Sequence, residues 1–277
     1  MRALVPAALL AALLLAGPAR AQTAQTDAPD PYAPVHRDPV GAILINGATP
    51  YTVGEHEIEL LFTHRFQQPI NDGGNSHNLW GIDNGADVGL GVEWGPISRL
   101  DFSLYRSSFQ EDFELAAKYL VFEQAPRLPF TLAVRAGADL LRRPDVEDPN
   151  RPFVQLLLAR QIVPGVNLLV SPSWVRDTPS LRNAFNVPLG LTLPLPGEGN
   201  LIEVEYIHAD HDLKASLDAW HVAYSKSLGG HIFEIVLGNS RATTVDQMLG
   251  GDSAAGFQKR DVRLGFNIIR DFSYGSQ

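Results

Sequence analysis

Cysteine is absent from all 277 residues. That excludes disulfides, thiolate metal sites, iron–sulfur clusters and c-type haem attachment together. Basic charge is scarce: 22 Lys and Arg stand against 31 Asp and Glu, a formal net charge of −9. Losing Arg2 and Arg20 with an N-terminal leader takes the balance to about −11, which argues against a nucleic-acid partner. Long apolar runs are missing too. Apolar residues make up 45% of the chain, yet past the N-terminus none of them cluster into the roughly 20-residue stretch that a spanning helix needs. No cofactor is implied.

The N-terminus reads as a secretory signal peptide over residues 1–21. Met1-Arg2 is a short positive region, Ala3 to Gly17 an apolar core, and Ala19-Arg20-Ala21 a small-x-small cleavage site. The core is about 15 residues, too short to anchor in a bilayer. Residues 22–53 form an extension. Gln22 to Asp38, rich in Thr, Ala, Asp and Pro, is expected to be extended or disordered. Ile43-Leu44-Ile45 followed by the turn dipeptide Asn46-Gly47 suggests a small hairpin, at a barrel mouth or packed in a lumen.

What is abundant is alternation. From Gly85 to Trp94, Ala86, Val88, Leu90, Val92 and Trp94 share one face and Gly85, Asp87, Gly89, Gly91 and Glu93 the other. Phe130 to Asp139 repeats the pattern. A period of two is a strand signature. Twelve such segments are read at about 56–66, 84–94, 99–107, 112–122, 129–139, 153–161, 165–176, 184–194, 200–209, 218–227, 230–238 and 260–272. Their connectors are by turns short (Gly95 to Ser98, Pro164-Gly165, Pro196 to Gly199, Gly229-Gly230) and long (67–83, 140–152, 177–183, 210–217, 239–259). Residues 54–277 therefore read as all-β: a single closed antiparallel transmembrane β-barrel of about twelve strands, with short turns facing the periplasm and long loops outside. Aromatic residues at strand ends, such as Trp94, Trp174 and Trp220, agree with interfacial girdles; a β-sandwich shares the period and the aromatics, but the export signal, the loop alternation and the strand count favour the barrel. Pro172 and Pro188 interrupt strands seven and eight, where a residue without an N–H is disfavoured. His64 and Arg106 fall on the apolar face.

Several stretches carry a family resemblance. They are Ile45-Asn46-Gly47, Thr63-His64-Arg65-Phe66, Tyr105-Arg106-Ser107-Ser108, Gln155 to Arg160, Gly230-His231-Ile232-Phe233, Gly238-Asn239-Ser240 and Asp261 to Ile268. In this order and spacing, over about residues 42–273, the chain resembles a family of bacterial outer-membrane-type β-barrel proteins defined as a domain of unknown function. Gln67 departs from the Gly usual after the His-Arg-Phe run. The resemblance implies the barrel and an outer-membrane location, and brings no substrate or catalytic residue.

The lumen face is expected to carry Glu57, Glu59, Asp87, Glu93, Asp101, Glu114, Glu203, Glu205, Glu234 and Asp261, against Arg65, Lys118, Arg135 and Arg263. Such a wall suits a passive channel for small solutes or cations. The same groups also suit a filled lumen held by salt bridges, in a barrel that presents extracellular loops such as 139–152 and 239–259 for adhesion or assembly. His208, Asp210, His211 and Asp212 are weak metal-ligand candidates at the top of strand nine; a solvated turn is the favoured reading of them. Asn71 to Asn75 suggests calcium only faintly. A hydrolase built from His221, Ser225 and Asn267 is the rival class, but no nucleophile elbow precedes Ser225. The chain is read as a monomeric non-enzyme whose partners are outer-membrane lipids and small solutes or ions.

Overall fold

The computed structural model describes residues 31–34, 41–70, 77, 79–142, 150–176, 183–208, 217–251 and 262–274. Its strands are β1 (Glu57–Phe66), β2 (Ala86–Ile97), β3 (Leu100–Ser107), β4 (Asp112–Phe122), β5 (Thr131–Leu141), β6 (Asn150–Val163) and β7 (Val166–Val170). They continue as β8 (Ser173–Val175), β9 (Ala184–Asn186), β10 (Leu189–Pro194), β11 (Asn200–Ile207), β12 (Ala219–Leu228), β13 (His231–Gly238) and β14 (Arg263–Ser273). Pairing is antiparallel, and β1 joins both β2 and β14 while β5 joins β6, so the sheet closes on itself. Among the described residues, closure gives every strand but the three-residue β9 a partner on both sides, so the long strands present no row of unpaired N–H and C=O groups.

The fourteen segments make twelve staves. β7 and β8 are two parts of one stave, both paired with β6; β10 and β9 are two parts of the next. The breaks lie at Pro172 and Pro188. Each proline lacks a donor but still accepts: Leu156 N donates to Pro172 O and Ser171 N to Pro188 O, both at 2.9 Å. The ladder is interrupted on one side and continued on the other, which is how a barrel wall tolerates a proline. One expected turn is instead strand. β2 runs through Gly95-Pro96 to Ile97, with a register shift between Trp94 and Ile97 where Pro96 cannot pair.

The alternation separates two solvents. Leu90, Leu115, Val154, Phe185 and Ile235 point outward and are exposed, whereas their strand neighbours Glu114, Gln155 and Glu234 are buried. An apolar exterior right around a closed sheet would be a liability in water and is the requirement in hydrocarbon. Two polar residues on this face, both expected there, lie against rings. Arg106 sits 5.3 Å from the Phe113 ring centroid, and His64 stacks on Phe266 at 4.8 Å. The core is inside the barrel, and two segments of the chain fold into it.

Candidate functional site: the filled lumen

The first insert is the hairpin of residues 41–49. Leu44 N donates to Gly47 O and Thr49 N to Ala42 O, each at 2.9 Å, around the Asn46-Gly47 turn. A hairpin this small is unstable alone, so the wall must hold it. Glu205 on β11 does so. Its Oε1 accepts from the backbone N–H of Ile45 (3.1 Å), Asn46 (2.9 Å) and Gly47 (2.8 Å), and its Oε2 from Asn46 Nδ2 (3.0 Å). Successive amides around one carboxylate oxygen form an anion-binding concavity. Arg65 Nη2 donates to Asn46 Oδ1 (2.7 Å) and Asn267 Nδ2 to Ile45 O (2.8 Å). Leu44, Ile45 and Tyr51 pack with Ala159, Leu169, Ala223 and Val236. Gly190 makes this approach possible: a Cβ there would lie 2.7 Å from Leu44 Cδ2. The chain enters from the short-turn end, where Val53 N donates to Asp101 Oδ2 (3.1 Å) and Thr52 Oγ1 to Ser98 O (3.0 Å).

The second insert comes from the opposite end. It was expected as part of an outward connector, 239–259. Instead residues 239–251 turn inward and carry a one-and-a-half-turn helix, α1 (Val245–Gly250), all of it buried. The reason is that both its polar and apolar groups find partners inside. Val245 N donates to Glu114 Oε2 and Asp246 N to Asp139 Oδ2, each at 2.9 Å, satisfying first-turn amides that no helix can satisfy itself. Asn186 Nδ2 donates to Leu249 O at 2.6 Å, and Gly251 ends the helix at φ 67°. Val245, Met248 and Leu249 pack with Phe153, Val175, Ala184, Ile207 and Ala219. Asp246 pairs with Arg151 of β6 at 2.6 Å.

Between the inserts lie two cavities. One, of about 50 Å³, is bounded by Ile43, Ile45, Glu93, Glu114, Val245 and Met248; the other, of about 40 Å³, by Leu44, Gly47, Glu205, Met248 and Leu249. At roughly 10–15 Å³ per water centre, each admits a few waters.

The expected lumen groups fall as follows. Glu59, Asp87, Glu93, Asp101, Glu114, Glu203, Glu205 and Glu234 are buried, as are Arg65, Lys118 and Arg135. Glu57 and Arg263 are half-buried near the two ends of the wall. The charges are networked. Lys118 Nζ lies 2.7 Å from Glu93 and 3.4 Å from Asp101. Arg135 bonds Glu114 and, at 2.9 Å, Gln155. Arg65 bonds Asn267 at 2.8 Å, and Asn267 bonds Glu234 at 2.6 Å. Arg241 reaches Asp87 at 2.6 Å.

Other candidates separate. His208 is exposed and lies 3.0 Å from Asp218; Asp210, His211 and Asp212 lie outside the described residues, as do Asp261 and the Asn71 to Asn75 stretch. His221 and Ser225 are four residues apart on β12, about 13 Å at the strand rise. His221 Nε2 faces Ser240 O at 3.2 Å, and Asn267 is engaged by the hairpin and Glu234. The structure does not bring these three together as nucleophile, base and orienter.

A closed twelve-stave barrel with an apolar exterior and a charged interior now has a counterpart among known sequences. Residues 41–272 match the family described as a membrane bound beta barrel domain, DUF5777. The chain belongs to this family. No curated protein matches it. Family membership places the barrel in a membrane and makes its exposed Leu, Ile, Val and Phe residues the lipid-facing surface. The match begins at residue 41, the first residue of the hairpin, so the insert belongs to the domain along with the wall.

Asp112, Asp139, Arg151, Asp246 and Gln247 were not singled out from sequence. Asp139 was visible as the polar-face residue closing the alternation from Phe130. The others sit at strand ends or in connectors, where the period fades.

Proposed function

We propose that this chain is an outer-membrane barrel, exported through residues 1–21 as a cleaved leader, that acts as a gated passive channel for small polar solutes or cations. Its ring has no free edge and works as a monomer in lipid, with no covalent chemistry. The described conformation is its closed state. The observation that carries this reading is the chemistry behind the hairpin: Glu205, Arg65 and Asn267 meet it as charged and polar groups, with Glu234 bonded to Asn267 behind them. If the hairpin withdraws, water can replace its amides on those groups, and the wall left behind is hydrophilic and net acidic, as a cation path requires.

A second reading is favoured by the small cavities and the dense bonding of both inserts: a filled scaffold that never conducts. Conductance in planar bilayers separates the two. Wild-type protein is expected to be mostly silent, and Glu205→Ala, which removes the acceptor of three hairpin amides, to show frequent cation-selective steps. Silence of both proteins, with the variant folded by circular dichroism and gel mobility, would overturn the channel and leave the scaffold.

A further inference from the structure

Where α1 meets the wall, Asp112 of β4, Asp139 of β5 and Asp246 of α1 each present an oxygen within 4.8 Å of the others, and all three side chains are 0% exposed. Glu114 lies beside them, accepting from Val245 N. Two guanidiniums face these four carboxylates: Arg135 pairs with Glu114 and Arg151 with Asp246. Asp112 and Asp139 have no cationic partner among the described residues. Asp112 Oδ2 accepts from Thr244 Oγ1 (2.8 Å) and Gln247 Nε2 (3.1 Å), and Asp139 Oδ2 from Asp246 N (2.9 Å). Oδ1 of each is buried with no donor.

A second observation comes from a neutral residue. Gln247 is 0% exposed and its amide head lies against Asp112, yet its Oε1 has no partner. Three buried oxygens, two of them on uncompensated carboxylates, are a costly arrangement unless a cation meets them, because burying an unpaired charge costs several kcal/mol.

We propose that this junction binds one hard divalent cation, ligated by Asp112, Asp139 and Asp246, and that the ion fastens α1 to the barrel wall. The donors are hard oxygens only, which selects Ca²⁺ or Mg²⁺ over zinc or copper. Oxygens within 4.8 Å of one another can share one ion, since ligands on opposite sides of Ca²⁺ at 2.3–2.6 Å lie about that far apart. With both Asp112 and Asp139 ionised around it, the charge of the ion is balanced. The proposal goes beyond the channel reading and holds for a scaffold equally.

The test uses the full mature barrel, folded in detergent and freed of metal by chelation, titrated with CaCl₂ by calorimetry and followed by thermal unfolding. The expected result is one ion per chain and a higher Tm with calcium. Asp139→Asn and Asp112→Asn should each weaken binding at least tenfold. In chelator both variants should melt at or above wild type, because a repulsive buried charge has gone; in calcium that order should reverse. Glu203→Gln, at a buried carboxylate outside the cluster, should bind as wild type does. Absence of heat and of any Tm shift with millimolar Ca²⁺, Mg²⁺ or Mn²⁺ would overturn the proposal. So would wild-type affinity in the two aspartate variants, or loss of binding in Glu203→Gln instead.

Discussion

The two inserts fill one lumen through opposite chemistry. The hairpin offers amide donors to a wall carboxylate, so donor and acceptor satisfy each other at Glu205. The helix carries a carboxylate of its own, Asp246, to a wall already lined by Asp112, Glu114 and Asp139. It depends on a third party, the Arg151 guanidinium. The first contact stands by itself and yields when its acceptor is lost. The second is frustrated by like charge and yields when its cation is lost.

The largest effect should therefore fall on the helix. Arg151→Met leaves Asp246 buried without its partner, and breaking a buried pair from one side costs about 3–5 kcal/mol. Denaturant unfolding in micelles should show that loss, and protease should gain access to residues 240–251. In chelator, adding Asp246→Asn to the same chain removes the stranded charge and should restore most of the stability. If the single and double variants are equally destabilised, Arg151 acts through packing rather than charge, and the contrast between the inserts is weaker than drawn.

The hairpin answers to space. Gly190→Val puts a branched side chain where Leu44 Cδ2 now sits 2.7 Å from a notional Cβ. Overpacking of this kind costs about 1–3 kcal/mol, and here the hairpin can relieve it by leaving. The expected signature is a lower unfolding midpoint together with faster hydrogen exchange at Ile45, Asn46 and Gly47, while the α1 amides keep wild-type protection. Equal loss of protection in both inserts would refute the separation.

The wall was legible in the sequence for a physical reason. Period two is imposed on every stave by the two solvents it divides, so Ala86 to Trp94 announces its lipid face without reference to any partner. Even the breaks could be seen, because Pro172 and Pro188 lack a donor wherever they are placed. Asn46-Gly47 announced a turn but not its location, which is set by Glu205, about 160 residues away. The helix was hidden altogether. Six residues are too few for a helical period, and what draws 239–251 inward is Glu114, Asp139 and Arg151, each contributed by a distant strand. Arg151 fell within the connector expected at 140–152, since β6 begins earlier, at Asn150. Lumen content is a property of pairs far apart in the chain, and alternation along one strand cannot express it.

The smallest effect bears most directly on the gating proposed above: whether the inserts move as one. Asn46 bonds Glu205 and Arg65, and Asn186 bonds Leu249 O; the two asparagines share no partner. Asn46→Ala and Asn186→Ala should each cost about 1 kcal/mol, the usual net worth of such hydrogen bonds. Sites without a shared partner add to within about 0.5 kcal/mol, so the double variant should be close to the sum. The inserts do meet, however, across the cavity between Ile45 and Met248. A cavity that admits only a few waters transmits little force compared with the polar anchors at either end. Additivity in the unfolding cycle would mean that the inserts are anchored independently, so that the hairpin can leave while α1 stays, as the Glu205→Ala conductance test assumes. A coupling above about 1 kcal/mol would mean a single bipartite plug, released from both ends when either Glu205 or Arg151 lets go.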